Sequence, residues 1–167
     1  EGKNTKKKGG VKIRDEPPVD GKQIVRGIIG IYSPIHRIGK TKFAIRFGQR
    51  MARQIPVLYL NLEGYSGMDY YFQEGQGKNL GDLLYCMKQE RGDYGIKISS
   101  MTGQAGGMDY ILPMENEQDL KAVKCSEWLS LIDMISEKCI YEAVILDLGE
   151  CIDGVYEILR KCTKKYS

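Results

Sequence analysis

The sequence contains little of the chemistry on which many enzymes depend. Histidine occurs once, at His36. This excludes a metal site built from several histidines, and a catalytic triad that needs histidine could use only this residue. The five cysteines form no CxxC pair and stand among apolar residues, a pattern typical of reduced thiols in a cytosolic protein. No apolar run is long enough to cross a bilayer.

What is present is an ordinary globular composition with an unevenly distributed charge. Of the 167 residues, 42% are hydrophobic and 28% are charged. The net charge of +3 comes from residues 1–14, which hold six basic side chains and one acid. The remainder is slightly acidic and has no basic face interleaved with aromatic residues, which argues against nucleic-acid binding. We therefore expect a flexible basic linker at residues 1–23, followed by one domain at residues 24–167.

Strands and helices are predicted to alternate through the domain. Continuous runs rich in Ile, Val and Leu indicate buried strands at 24–32, 56–62 and 141–148. Apolar residues at helical spacing indicate helices at 41–54, at 79–90 with Asn79 as the N-cap, from 116 onwards through Trp128, and at 153–161. Two short strands are predicted at 96–101 and 108–113. This alternation implies an α/β fold with a parallel sheet and right-handed crossovers.

The main functional signal lies between the first strand and the first helix, where IIGIYSPIHRIGKT ends in a GKT tripeptide. The first amides of a helix are unpaired and its dipole is positive there, so this arrangement suits phosphate. Lys40 can neutralise phosphate oxygens, and the Thr41 hydroxyl can hold Mg²⁺. The complete GxxxxGK[ST] pattern is not met, because Pro34 occupies the first glycine position, and a plain strand–turn–helix is the alternative. The predicted nucleotide-binding residues are Ser33, Pro34, Ile35, His36, Arg37, Ile38, Gly39, Lys40 and Thr41.

Two acids follow predicted strands at the positions where a magnesium site would use them. Asp147 ends the 141–148 strand, and we expect it to hold Mg²⁺ through water, beside Thr41. Glu63 follows the second strand in LNLEG and is a candidate catalytic acid that positions water. The alternatives are a strand–helix cap for Asp147 and an ordinary loop carboxylate for Glu63.

The segments SPIHRIGKT, LYLNLEGYSG and VILDLGE together resemble the MinD/ParA group of deviant Walker A ATPases. Within that group the chain is most similar to the TadZ/CpaE-like proteins of bacterial Flp (tight adherence) pilus assembly. The resemblance covers most of residues 24–162 and implies a three-layer P-loop NTPase-like fold with helices on both faces of a mainly parallel sheet. It also implies ATP with Mg²⁺, an ATP-linked homodimer, and a cytoplasmic switch that pilus-assembly or polar-localisation partners recruit to a membrane or cell pole.

The family pattern is matched in part. Residues 39–41 match in full, and Asp147 matches the magnesium-side acid of the family. The family's catalytic acid falls at Glu63, whereas the first acid of that pair falls at Asn61, which is not acidic.

The loop also departs from the family. The signature lysine falls at Ile35 and the glycines after it at His36 and Arg37. We therefore expect slow ATP hydrolysis or none, with Arg37 as a candidate substitute charge and catalytic residue. The family usually carries further strands, with a base-reading loop, beyond the point that corresponds to Ser167, and often an upstream receiver-like domain, so we expect a domain truncated at its C-terminus. The alternatives are a scaffold without hydrolysis, a P-loop phosphotransferase and a DNA-binding partition-type ATPase.

Overall fold

The computed structural model describes residues 24–34, 38–63, 72, 77–89 and 92–167. The predicted linker at 1–23, the loop residues Ile35, His36 and Arg37, and the Ile38 side chain lie outside the described residues. The described elements follow in the order β1 Gly27–Tyr32, α1 Ile38–Met51, β2 Val57–Leu62, α2 Leu80–Lys88, α3 Tyr94–Met101, β3 Gly103–Ala105, β4 Met108–Ile111, α4 Glu117–Ala122, α5 Cys125–Lys138, β5 Ala143–Leu148, α6 Val155–Lys161 and β6 Lys164–Tyr166.

The strands form one sheet with the order β3-β4-β2-β5-β1-β6. Every neighbouring pair is parallel except β3 with β4, which confirms the predicted mainly parallel α/β sheet. Strand β5 lies between β1 and β2, and Leu148 is in register with Tyr32 on one side and Leu62 on the other. The carboxyl ends of these three strands are therefore level at one edge of the sheet.

Helices cover both faces of the sheet, as the fold class requires. Helix α1 packs Ala44, Ile45 and Phe47 against one face, while α2, α3, α5 and α6 bury their apolar residues against the other. Gly48 lies where α1 packs closely against the sheet. A Cβ there would meet the Met108 sulfur and come within 2.7 Å of Ile145 Cδ1, so a larger residue would force these buried side chains to shift.

The segment predicted as a strand at 96–101 is instead part of helix α3, and that prediction was wrong. Asp93 caps the helix by accepting a hydrogen bond from the Ile96 amide at 3.3 Å. Ile98 and Met101 are buried, whereas Ile96 is 70% exposed. The β-branched residues suggested a strand, but the cap and the burial of one helical face decide the conformation.

Other elements also differ from the sequence prediction. The helical region from residue 116 is two helices, α4 and α5, with extended backbone at Val123 and Lys124 between them. The edge strands β3 and β6 were not predicted. The N-cap at Asn79 is confirmed: its side chain accepts from the Asp82 amide at 3.1 Å, and the Asp82 carboxylate accepts from the Asn79 amide at 2.8 Å. Within the described part of the chain, no helix has the length and apolar character to cross a membrane.

Candidate functional site

The candidate site lies at the edge of the sheet where β1, β2 and β5 end and α1 begins. Asn61 on β2 and Ile31 on β1 are both in register with Asp147 on β5. The predicted residues Lys40 and Thr41 stand in the first turn of α1, above this edge. The fold therefore brings together Lys40, Thr41, Glu63 and Asp147, although 107 positions separate Lys40 from Asp147.

Asp147 is the centre of this cluster. It is fully buried, and its carboxylate accepts hydrogen bonds from four side chains. Lys40 Nζ donates to Oδ1 at 2.6 Å. Thr41 Oγ1 and the Tyr59 hydroxyl donate to Oδ2 at 2.8 and 2.7 Å, and the Asn61 amide donates to it at 3.5 Å. Since a buried charge is costly unless it is paired and hydrogen-bonded, these donors are what allow Asp147 to remain in the interior.

Lys40 is held by three acceptors of the chain itself. Its Nζ lies 2.6 Å from Asp147 Oδ1, 2.8 Å from the Leu148 carbonyl and 3.2 Å from Glu63 Oε2. An ammonium group has three protons, so a phosphate oxygen can bind Lys40 only by displacing one of these acceptors. Glu63 is the most distant of the three and also the most exposed partner, with 12% of its side chain accessible. It is therefore the acceptor that Lys40 can release at the lowest cost.

The donor set at this edge fits Mg²⁺ in the presence of a phosphate. The Thr41 hydroxyl donates its proton to Asp147, which leaves the lone pairs of Oγ1 available to a cation. Mg²⁺ is usually held by one or two carboxylates together with phosphate oxygens and water, and Asp147 and Glu63 can supply the carboxylates. In the described ranges, no group of three or more His, Cys, Asp or Glu side chains could hold a metal ion. A magnesium ion here would depend on phosphate ligands as well as on the protein.

The structure adds Tyr59 and Asn61, to which the sequence assigned no role in the site. Both lie on β2 two positions apart, so their side chains share one face of the sheet with Asp147. The Asn61 side chain donates to the Tyr59 hydroxyl oxygen at 3.1 Å and accepts from the Glu63 amide at 2.9 Å. Burial, and then the charge of Asp147, raises the pKa of Tyr59 well above its usual range. The signal available in the sequence was a pair of polar residues at i and i+2 in an otherwise apolar strand.

The remaining predicted loop residues lie beside this cluster. Ser33 and Pro34 follow β1 directly, with Ser33 half-buried and Pro34 exposed, and Gly39 is exposed in the first turn of α1. The first turn of α1 contains no acidic residue. The positive end of the helix is therefore not offset by a carboxylate of its own first turn, which suits an anionic ligand.

Eight chains of solved structures match this one. A ParA family ATPase from Chlorobium tepidum TLS superimposes with a TM-score of 0.69 at 18% identity. The fold is that of a ParA-type P-loop ATPase. A protein from Borrelia burgdorferi B31 that is described as a plasmid partition protein bound to AMPPNP gives a TM-score of 0.54, also at 18% identity. This chain thus shares its fold with the two proteins at low sequence identity.

The overlap with these structures is partial. The matched region covers 84% of this chain and 59% of the Chlorobium protein, and 74% of this chain and 53% of the Borrelia protein. No family model matches the sequence, and no curated protein matches it either. In open α/β sheets, ligands bind beyond the carboxyl ends of the strands, and in this ParA-type fold the cluster around Asp147 occupies that place.

Proposed function

We propose that the chain binds ATP with Mg²⁺ at the cluster of Lys40, Thr41, Glu63 and Asp147 and acts as a nucleotide-dependent switch of the MinD/ParA type. One observation carries the proposal. Lys40 and Thr41, at the start of α1, donate hydrogen bonds of 2.6 and 2.8 Å to Asp147, at the end of β5. A helix N-terminus, a cation, a hydroxyl and a buried acid are the parts that hold a magnesium–phosphate group in P-loop proteins. The fold shared with ParA-type ATPases supports the same conclusion.

Nucleotide binding exchanges the partners of these side chains. Lys40 gives up Glu63 and turns towards a phosphate oxygen, while the Leu148 carbonyl can remain its acceptor. The Thr41 hydroxyl keeps its hydrogen bond to Asp147 and offers the lone pairs of Oγ1 to Mg²⁺. Bound Mg²⁺ supplies positive charge that neutralises the phosphate oxygens.

Hydrolysis in this proposal is slow or absent. The position of the signature lysine is occupied by Ile35, so the loop lacks the cation that the family places there. Glu63, the candidate catalytic acid, is paired with Lys40 at 3.2 Å and must be released before it can position water. Arg37 is the candidate substitute charge and lies outside the described residues.

The biological setting of the proposal follows the family resemblance. We propose an ATP-bound homodimer in the cytoplasm that is recruited to a membrane or cell pole by pilus-assembly or polar-localisation partners, as in TadZ/CpaE-like proteins. A partition-type role with DNA is less favoured, because the chain after its basic first residues is slightly acidic.

A second candidate function is a scaffold that keeps the fold without binding nucleotide. The observation that favours it is the satisfaction of all three Lys40 donor positions by Asp147, Leu148 and Glu63. A cluster in which the buried cation is already paired with carboxylates and fully hydrogen-bonded is stable without a ligand.

Titration with a fluorescent ATP analogue, with Mg²⁺ and with EDTA, separates the two functions. We expect the parent to bind and Lys40→Ala to lose roughly tenfold or more in affinity, because a charge-assisted contact is removed. The matched control is Lys42→Ala, which removes an exposed lysine from the same helix and should bind like the parent. The double variant Lys40→Ala/Asp147→Asn tests binding without an unpaired buried acid. No binding by the parent supports the scaffold, and equal binding by parent and Lys40→Ala excludes this loop as the site.

A further inference from the structure

We propose that Tyr59 is a positioning residue whose hydroxyl fixes the Asp147 carboxylate in the orientation that a magnesium–nucleotide complex needs. This inference rests on the proposed function and goes beyond it, because it assigns the magnesium dependence of binding to a residue outside the loop motif. It concerns the geometry of Asp147 and not its charge.

The strand register brings the Tyr59 hydroxyl to Asp147. Tyr59 on β2 is in register with Ile145 on β5, so Asp147 is the next residue of β5 on the same face. An aromatic side chain is long enough to reach such a diagonal neighbour across adjacent strands. The Tyr59 hydroxyl oxygen lies 2.7 Å from Asp147 Oδ2.

The hydrogen bond from Tyr59 has a defined direction. The Asn61 side-chain amide donates to the Tyr59 oxygen at 3.1 Å, and the carboxylate of Asp147 has no proton to give when it is ionised. The proton of the Tyr59 hydroxyl is therefore the one that lies between Tyr59 and Asp147.

The ring of Tyr59 is held in place by aromatic packing. Tyr59 is fully buried, and its ring centroid lies 5.9 Å from that of Phe72. Phe72 in turn stacks on Tyr110 with a centroid separation of 3.9 Å and an interplanar angle of 19°. A ring packed in this way keeps its hydroxyl at a fixed point, and the strand below it provides a rigid support.

The two oxygens of Asp147 consequently have different roles. Oδ2 accepts from Tyr59 and Thr41 and, at 3.5 Å, from the Asn61 amide, whereas Oδ1 accepts from Lys40. Oδ1 keeps a lone pair that could accept a hydrogen bond from metal-bound water. Without the Tyr59 hydroxyl, the shortest of the three hydrogen bonds that hold Oδ2 is lost, and the carboxylate can turn. Losing a partner that orients a metal ligand costs roughly 10–100-fold in metal affinity, and we expect about tenfold because Asp147 acts through water.

The test is the ratio of ATP affinity in MgCl₂ to ATP affinity in EDTA. Tyr59→Phe keeps the ring and its packing, and Asp147 keeps Lys40 and Thr41, so the variant should fold. The matched control is Tyr110→Phe, a buried tyrosine that stacks on the same Phe72 but lies on β4, with β2 between it and β5. We expect the ratio to fall about tenfold in Tyr59→Phe and to stay at the parent value in Tyr110→Phe.

A double-mutant cycle on the nucleotide-free protein tests the contact by itself. Tyr59→Phe, Asp147→Asn and the double variant are unfolded in urea, and we expect the two sites to be coupled by roughly tenfold or more in the unfolding equilibrium constant. A parent-like magnesium ratio in Tyr59→Phe, or the same fall in Tyr110→Phe, overturns the proposal. A parent that binds no ATP overturns the proposed function and the magnesium role together. A cycle without coupling overturns the positioning contact alone, whatever the parent binds.

Discussion

Lys40 and Asp147 form an ion pair in the interior, with Nζ 2.6 Å from Oδ1 and only 6% and 0% of the two side chains exposed. The pair links the first turn of α1 to the end of the central strand β5. Replacing both members of a buried pair is often tolerated, whereas removing one leaves an uncompensated buried charge. The cluster therefore affects folding as well as ligand binding, and the two effects can be separated by mutation.

Removing Lys40 should destabilise the protein in the absence of nucleotide. We expect Lys40→Ala to lower the free energy of unfolding by about 3–5 kcal/mol, because Asp147 is left buried without its counter-ion. Adding Asp147→Asn should restore part of this loss. Urea unfolding of the parent, both single variants and the double variant measures the effect. Equal stability of parent and Lys40→Ala would contradict the buried pair.

Neutralising Glu63 should strengthen ATP binding when magnesium is absent. Glu63 Oε2 lies 3.2 Å from Lys40 Nζ and competes with phosphate for that ammonium. We expect Glu63→Gln to raise the affinity for ATP in EDTA by about 1 kcal/mol, or roughly fivefold, in calorimetric titration. Glu150→Gln removes the same charge from an exposed position after β5 and serves as the control. A similar gain in both variants would assign the effect to net charge alone.

Steady-state hydrolysis should be slow. Transition-state charge on the transferred phosphoryl group requires nearby cations, and Ile35 provides none at the signature position. We expect a turnover below about 1 s⁻¹, the lower end for kinases, in a phosphate-release assay. Ile35→Lys, which restores the family's residue, should raise the rate. A parent turnover above that value would refute the prediction.

Arg37 should distinguish triphosphate from diphosphate. A cation beside a helix N-terminus is disfavoured unless an anion pairs with it, and the planar guanidinium suits phosphate. We expect Arg37→Ala to weaken ATP binding more than ADP binding and to reduce any ATP-dependent dimer. Competition titrations and light scattering test both effects. Equal losses for the two nucleotides with an unchanged dimer would leave Arg37 as an ordinary loop residue.

Stability should fall at alkaline pH. Burial raises the pKa of the Cys162 thiol to about 11, and burial raises the pKa values of Tyr59 and Tyr141 above their usual range. In the unfolded chain these groups lose protons near pH ~8.5 for cysteine and ~10 for tyrosine, whereas the folded chain retains them. Their contribution is therefore complete below pH ~8.5 and is lost as the pH rises, by up to about 1.4 kcal/mol per pH unit for each group. Urea unfolding from pH 8 to 11 should show this slope, and Cys162→Ala should flatten it between pH ~9 and 11.

Local patterns were sufficient for most of the secondary structure. The strands β1, β2 and β5 were predicted because each is a run rich in Ile, Val and Leu, and α2 because its apolar residues recur at helical spacing after the N-cap Asn79. Helix α3 was predicted wrongly because its β-branched residues suggested a strand, while Asp93 and the burial of Ile98 against neighbouring helices determined the helix. Propensity is a weak signal when packing against distant elements outweighs it.

The sequence by itself predicted the kind of site. A strand, a loop and the Gly39-Lys40-Thr41 segment that opens a helix are local features, and Asp147 marks the end of an apolar strand. The tertiary structure alone decided which side chains meet there. The strand order places β5 between β1 and β2, and the register pairs Asn61 with Asp147, so that the Tyr59 hydroxyl reaches the same carboxylate. Pairing between strands more than 80 residues apart leaves no local signature, because register is set by the packing of whole faces and a shift of one residue would turn Tyr59 to the opposite side.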